Sequence, residues 1–217
     1  MKLVLMSANN TKEITEKIVE LVGKPANEIS VCMINEASNL SNGDRRWFFK
    51  GWAKVANAFG GKISCCNLLA MDIKQVETWL MEYDVIWCWG GNTDYLKSVF
   101  DKTGFSTILP KLLKTKVWVG SSAGSCIMCN RPSIKPAEYG VSKWFGYVNC
   151  CIRPHINASY KSKEDNKKNL DDSYAESQNQ ILYALSDTSA VIVDGQKTSM
   201  LGKKALKLDK GKVVEKV

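Results

Sequence analysis

The stretch "VWVGSSAGSCIM" (residues 117–128) runs from an apolar, β-branched segment straight into six small residues, Gly120 to Ser125. Small polar side chains bury almost no area, so at the end of a buried strand they need another reason. A backbone turned so sharply that bulkier side chains would collide supplies one. The order Gly120-Ser121-Ser122-Ala123-Gly124 matches G-x-S-x-G between a strand and the helical "SCIMCN". That is the context of a nucleophile elbow, a strained strand-to-helix turn that projects one serine outward. Amides that open the following helix can stabilise an oxyanion. The alternative is a small-residue turn that simply packs a helix on a sheet.

Outward from the elbow, apolar runs recur with helical patterns between them. Strands are predicted at 2–7, 29–34, 62–69, 84–90, 116–121, 147–152 and 189–194. The first five are almost continuously hydrophobic, as strands covered on both faces must be. Helices are predicted at about 11–23, 44–59, 74–82, 93–102 and 106–114. Alternating strands and helices imply an α/β fold, a three-layer sandwich around a mostly parallel sheet. "KKALKLDKGKVVEKV" (203–217) reads as a short C-terminal β-hairpin, and the polar "KSKEDNKKNLDD" (161–172) as an exposed loop. No linker or repeat divides the chain, so residues 1–217 are expected to form one domain.

Composition narrows the function. Thirty Lys and Arg against twenty-two Asp and Glu leave a net charge of +8. The lysines are scattered and not interleaved with aromatics, which argues for a solvated surface rather than a nucleic-acid partner. No apolar run approaches the roughly 20 residues of a membrane span. Residues 1–9 are too short for a secretory signal, so the expected location is the cytoplasm. The eight cysteines include two adjacent pairs inside apolar runs and are expected to be reduced core residues. Cys126 and Cys129 form a lone C-x-x-C without a second pair, and no metal or other cofactor is expected.

In a parallel α/β sheet the ligand site lies at the carboxyl ends of the strands. Besides the elbow, two strand ends carry unusual residues. In "WCWGGNTDYL" (87–96), Gly90 and Gly91 allow close approach to the backbone and could supply a second oxyanion donor. A plain Gly-Gly turn with an Asn92 or Thr93 helix cap would look the same. In "CCIRPHINASY" (150–160) stands His155, the only histidine of the chain and hence the only imidazole available to activate Ser122.

"GGNT", "GSSAG" and "RPH", in that order and at these separations, resemble the aspartyl dipeptidase (peptidase E) family of serine peptidases. The resemblance runs from about residue 1 to 195 and implies a class I glutamine amidotransferase-like fold. It implies Ser122 as nucleophile, His155 as general base, and the amides of Gly91 and Ala123 as the oxyanion hole. The family's acid follows the histidine, which places Asp187 of "LSDTSA" nearest that position. Glu138 is the alternative if the order is Ser, acid, His, and Asn157 if an amide orients the imidazole. Asn92, Thr93 and Arg153 are candidate substrate-binding residues.

The chain departs from the family pattern in one respect. Members selective for N-terminal Asp carry an arginine in the segment after the histidine, whereas 156–185 contains none. Lys161, Lys163, Lys167 and Lys168 lie there instead, a poorer geometric match for a carboxylate. The expected activity is hydrolysis of dipeptides or short peptides by a monomer or homodimer. Another amide hydrolase, or a non-catalytic small-molecule binding or regulatory protein of the same fold, is the competing reading.

Overall fold

The computed structural model describes residues 1–217. In chain order the elements are β1 (Lys2–Met6), α1 (Lys12–Val22), β2 (Val31–Ile34), α2 (Arg46–Ala58), β3 (Ile63–Cys65), α3 (Ile73–Met81) and β4 (Val85–Cys88). They continue with α4 (Thr93–Lys102), α5 (Phe105–Thr115), β5 (Val117–Ser121), α6 (Ala123–Cys126), α7 (Pro136–Tyr139), β6 (Cys151–Arg153) and α8 (Lys163–Glu176). β7 (Leu182–Ala184), β8 (Ala190–Asp194), β9 (Lys197–Leu201), β10 (Leu206–Asp209) and β11 (Lys212–Lys216) complete the chain.

A seven-stranded sheet in the order β3-β2-β4-β5-β1-β8-β9 forms the centre. Its first five members are mutually parallel, and β8 and β9 add antiparallel pairs at one side. Alternate residues of each strand enter different cores, as the two-residue period of a strand dictates. Val4, Met6, Val31, Met33, Val85 and Trp87 pack with Ile14 and Ile18 of α1 and Phe48 and Val55 of α2. Leu3, Leu5, Cys32, Ile34, Ile86 and Trp118 pack on the other face with side chains of α3, α4 and α5. The five parallel strands therefore lie between two apolar layers, which explains their unbroken hydrophobicity.

A second sheet, β11-β10-β7-β6, was not foreseen as such. The C-terminal hairpin forms as expected, but β10 also pairs with β7, which pairs parallel with β6. β7 escaped sequence reading because three residues give too few alternations to show a period, and β9 because only Met200 of its five residues is buried. The strand expected at 147–152 is displaced to Cys151–Arg153, with Val148 making only an isolated bridge to Cys129. The small sheet is also two-faced: Ile152 and Tyr183 join the larger core, whereas Cys151, Leu182, Ala184 and Leu208 pack with Ile156 and Tyr174.

The loop expected at 161–172 is the helix α8. Ser162 caps it by accepting from the Asp165 amide at 2.9 Å, and Glu164 and Asp165 stand in its first turn. It buries only Ser173 fully, so it shows no apolar stripe that periodicity could detect. Its C-terminal end is held by Glu176, which bonds Arg131 at 3.0 Å and Arg153 at 2.6 Å. No helix of the chain is long and apolar enough to cross a membrane.

Candidate active site

The elbow is strained as its sequence demands. Ser122 has φ 50° and ψ −108°, a backbone conformation that few non-glycine residues adopt. It is over-determined by its surroundings. The Ser122 amide donates to the Met6 carbonyl at 3.0 Å, and the amides of Ser125 and Cys126 both donate to the Ser122 carbonyl at 2.9 Å. The Ser125 hydroxyl, wholly buried, bonds the carbonyls of Met6 at 2.8 Å and Gly120 at 2.7 Å. Glycine is required on both sides of the turn: a Cβ on Gly120 would strike the Gly124 carbonyl, and one on Gly124 the Cys88 carbonyl. The small residues exist so that α6 can lie directly on β4 and β5.

The Ser122 hydroxyl lies 2.9 Å from His155 Nε2, and His155 Nδ1 lies 2.7 Å from Asp187 Oδ1. Three separate parts of the fold deliver these groups. Ser122 follows β5 of the large sheet, His155 follows β6 of the small one, and Asp187 stands in the crossing from β7 to β8 that joins the two. His155 itself has φ 64°. Its amide donates to Ser7 Oγ at 2.9 Å, and Asn169 Nδ2 donates to the carbonyls of Pro154 and His155 at 3.2 and 3.1 Å. Ser7 was missed in the sequence. Fully buried at the end of β1, it also donates to Asp187 Oδ1 at 3.3 Å, and so holds both the histidine backbone and the carboxylate. The Asp187 carbonyl accepts from the Asn9 amide at 2.8 Å.

Gly91 and Ala123 flank this chain of bonds. No acceptor within the protein takes the amide of either residue. Gly91 has φ 145°, and a Cβ there would strike the Ala37 carbonyl, so no other residue fits. Gly90 lies against Ser122: a Cβ on it would come within 2.9 Å of the Ser122 Cβ.

Other sequence candidates lie elsewhere. Asn92 caps α4 by accepting from the Tyr95 amide at 2.9 Å and donates to the Tyr139 hydroxyl at 3.1 Å; Thr93 is the first residue of that helix. Neither lines the cavity over Ser122. Arg153 is likewise turned away, engaged with Glu176. Glu138 is a surface residue of α7 paired with Lys135 at 2.7 Å, and that lysine holds its carboxyl below the usual range. It makes no bond to His155. Asn157, with φ 54°, lines a different groove of about 470 Å³ together with Lys161, Lys163 and Lys167. Those lysines therefore do not face the serine, and Lys168 pairs with Asp172 at 2.9 Å.

The cavity over Ser122 measures about 880 Å³ and includes Ser7, Gly90, Gly91, Ser122, His155 and Asp187 in its wall. Tyr160 stands at its edge, with its ring 6.0 Å from the imidazole in an edge-on arrangement. Burial and the Asp187 charge push the Tyr160 phenol up to about 12, so it stays neutral and can donate a hydrogen bond. All eight cysteines are free, and Cys126 and Cys129 are buried within the core, where burial pushes the Cys126 thiol up to about 12. No group of three or more His, Cys, Asp or Glu side chains is arranged to hold a metal ion.

A seryl hydroxyl on a strand-to-helix elbow, bonded to an imidazole that is bonded in turn to a carboxylate, is the arrangement of a serine-type hydrolase. The sequence over residues 3–201 matches the model of Peptidase family S51, and the chain belongs to that family. It is thus a serine peptidase. Among solved structures, it is similar to a candidate peptidase E protein from Listeria monocytogenes EGD-e, with 21% identity and a TM-score of 0.73 over 93% of this chain and 98% of that one. A peptidase from an acI-B1 Actinobacterium is similar at 17% identity and a TM-score of 0.70, over 96% of this chain and 91% of that one. At these identities the likeness concerns the fold. No curated protein matches the sequence.

Proposed function

We propose that the chain hydrolyses dipeptides or other short peptides through an acyl-enzyme on Ser122, with residues 1–217 acting as one catalytic domain. The observation that carries this reading is the unbroken chain Ser122 Oγ to His155 Nε2 at 2.9 Å and His155 Nδ1 to Asp187 Oδ1 at 2.7 Å. As the serine oxygen bonds to the scissile carbonyl carbon, its proton passes to His155 Nε2. Asp187 accepts from Nδ1–H, which fixes the tautomer that leaves Nε2 free and stabilises the imidazolium. The carbonyl oxygen becomes an oxyanion facing the unengaged amides of Gly91 and Ala123. Collapse breaks the carbon–nitrogen bond, and the imidazolium protonates the departing amine. Water then attacks the ester with His155 as base, releasing the acid and restoring Ser122.

A non-catalytic binding protein would have no use for a serine held at φ 50° with an imidazole on its hydroxyl. The test is labelling by a serine-directed fluorophosphonate, followed by a screen of free dipeptides for amine release. Stoichiometric labelling that Ser122→Ala abolishes is the expected result. Labelling elsewhere, or none, removes Ser122 from the role.

A further inference from the structure

One buried acid takes no part in the bond-breaking steps. Glu36 stands in the 3₁₀ turn Glu36–Ser38, just past the carboxyl end of β2, and is 1% exposed. Its Oε1 accepts from the Leu68 amide at 2.7 Å, and its Oε2, also buried, has no partner. Burial raises its carboxyl above the ordinary range, against the pull of the backbone amides of Leu68, Glu36 and Asn35. Thiols lie close by: burial, and then the Glu36 charge, raise those of Cys65 and Cys88. An acid buried with an open oxygen destabilises a fold by itself, so apolar packing does not account for its presence.

The turn that carries Glu36 is the floor of Gly91. The Ala37 carbonyl accepts from the Asn92 amide at 2.9 Å, and it lies so close to Gly91 that a Cβ there would strike it. On its other side the Gly90-Gly91 stretch lies against Ser122, through Gly90. The stretch is thus wedged between the elbow and the turn, and the direction of the Gly91 amide depends on where the turn sits. Within the turn, the amides of Ser38 and Asn39 donate to the carbonyls of Asn35 and Glu36, both at 3.0 Å. Those bonds set its shape and not its position. Side-chain bonds tie Glu36–Ser38 to two other segments: Glu36 to the Leu68 amide, and Ser38 Oγ to Arg45 Nη2 at 3.0 Å. Of these, the bond of Glu36 is the buried one.

We propose that Glu36 is a positioning residue for the oxyanion hole: by gripping the Leu68 amide, its carboxyl fixes the turn that holds Gly91 in the cavity wall beside Ser122. This rests on the reading of Gly91 as an oxyanion donor given above. The role requires the reach of the side chain and an acceptor at its tip, and it does not require a negative charge.

Two small changes separate reach from charge. Glu36→Gln keeps the length and an oxygen for Leu68 but loses the charge, whereas Glu36→Asp keeps the acid and falls one methylene short. Glu36→Gln should retain kcat within about threefold. Glu36→Asp should lower kcat for a cleaved dipeptide by about 10- to 100-fold, at or below the roughly 10²- to 10³-fold cost of losing a whole oxyanion donor. KM should stay within about threefold, because the weakened interaction is one made in the transition state. Hydrogen exchange of the Asn92 amide, whose bond to Ala37 reports the turn, should quicken by about tenfold in Glu36→Asp and not in Glu36→Gln. That readout needs no turnover, so it judges the hold of Glu36 on the turn apart from the catalytic reading, which fluorophosphonate labelling of the wild-type serine judges. Should Glu36→Asp not fold, Glu36→Met, apolar and of similar length, removes the acceptor and takes its place. An unchanged kcat in the shortened variant would overturn the role, whatever its thermal stability. So would unchanged Asn92 exchange, a rise in KM as large as the fall in kcat, or a greater loss in Glu36→Gln than in Glu36→Asp.

Discussion

The large sheet and the small sheet contribute opposite halves of one site under very different structural guarantees. Ser122 ends a strand whose five residues are all buried, in a sheet flanked by core clusters of 35 and 18 buried residues. His155 ends a three-residue strand whose outer face belongs to a cluster of only five. The small sheet also ends in β11, every residue of which is exposed. The serine is thus held by bulk packing as well as by the hydrogen bonds of its turn, and the histidine chiefly by individual hydrogen bonds, its amide donating to Ser7 and its carbonyl accepting from Asn169. Asp187, in the crossing between the sheets, makes the arrangement a property of both.

If the two halves act as one unit, breaking either should be as damaging as breaking both. Ser122→Ala and His155→Ala are each expected to lower kcat/KM by about 10⁴-fold or more, with the double variant no worse than the singles. Additive losses would show that the halves work independently. Ser122→Ala should leave thermal stability essentially unchanged, since a smaller side chain replaces a small one.

Next in size is the effect of the connecting acid. Asp187→Asn should lower kcat by about 10²- to 10⁴-fold, because an amide can present its NH₂ to Nδ1 and stabilise the wrong tautomer. Glu138→Gln should stay within about twofold, its charge being spent on Lys135 at the surface. The opposite ranking would shift the orienting role to α7.

The unequal packing of the sheets predicts a separation in stability. In graded urea, activity should disappear at a lower concentration than the fluorescence of Trp87 and Trp118, which are fully buried on β4 and β5. An offset of about 0.5 M or more would be well resolved against ordinary urea slopes. Coincident curves would show that both sheets melt as one cooperative unit.

The smallest effect concerns alkaline pH. Burial pushes Cys126, in the large core, and Cys151 and Tyr183, in the small sheet, up to about 12. Their folded-state values lie above the ordinary 9.0 for a thiol and 10.0 for a phenol, so their contribution is fully present below those values. It is lost as pH rises from about 9 to 12. Stability measured by denaturant titration should be flat from pH 7 to about 9 on this account and fall above it. Tyr183→Phe should flatten the fall, and an unchanged slope would mean that Tyr183 titrates normally.

The sequence alone determined the features that depend on local backbone chemistry and on burial from both sides. Continuous apolar runs marked the parallel strands, and 3.6-residue patterns marked α1 to α5. "GSSAG" marked a turn that tolerates only small residues, since Gly120 and Gly124 meet carbonyl groups where side chains would be. A lone histidine made His155 the only imidazole available. What lay beyond the sequence was decided by contacts between distant segments. Only the fold turned Glu138, Asn92 and Arg153 away and brought Asp187 within 2.7 Å of His155, across 32 residues of chain. Only the fold placed Ser7 beneath both, 148 residues from the histidine it supports. It also set Lys50 and Lys54 in the wall of the cavity over Ser122, and Lys161, Lys163 and Lys167 in a separate groove. The physical reason is the same throughout. A helix stripe or a tight turn is written in neighbouring residues, but the partner of a carboxylate or an ammonium group is set by the packing of whole layers, which no local pattern records.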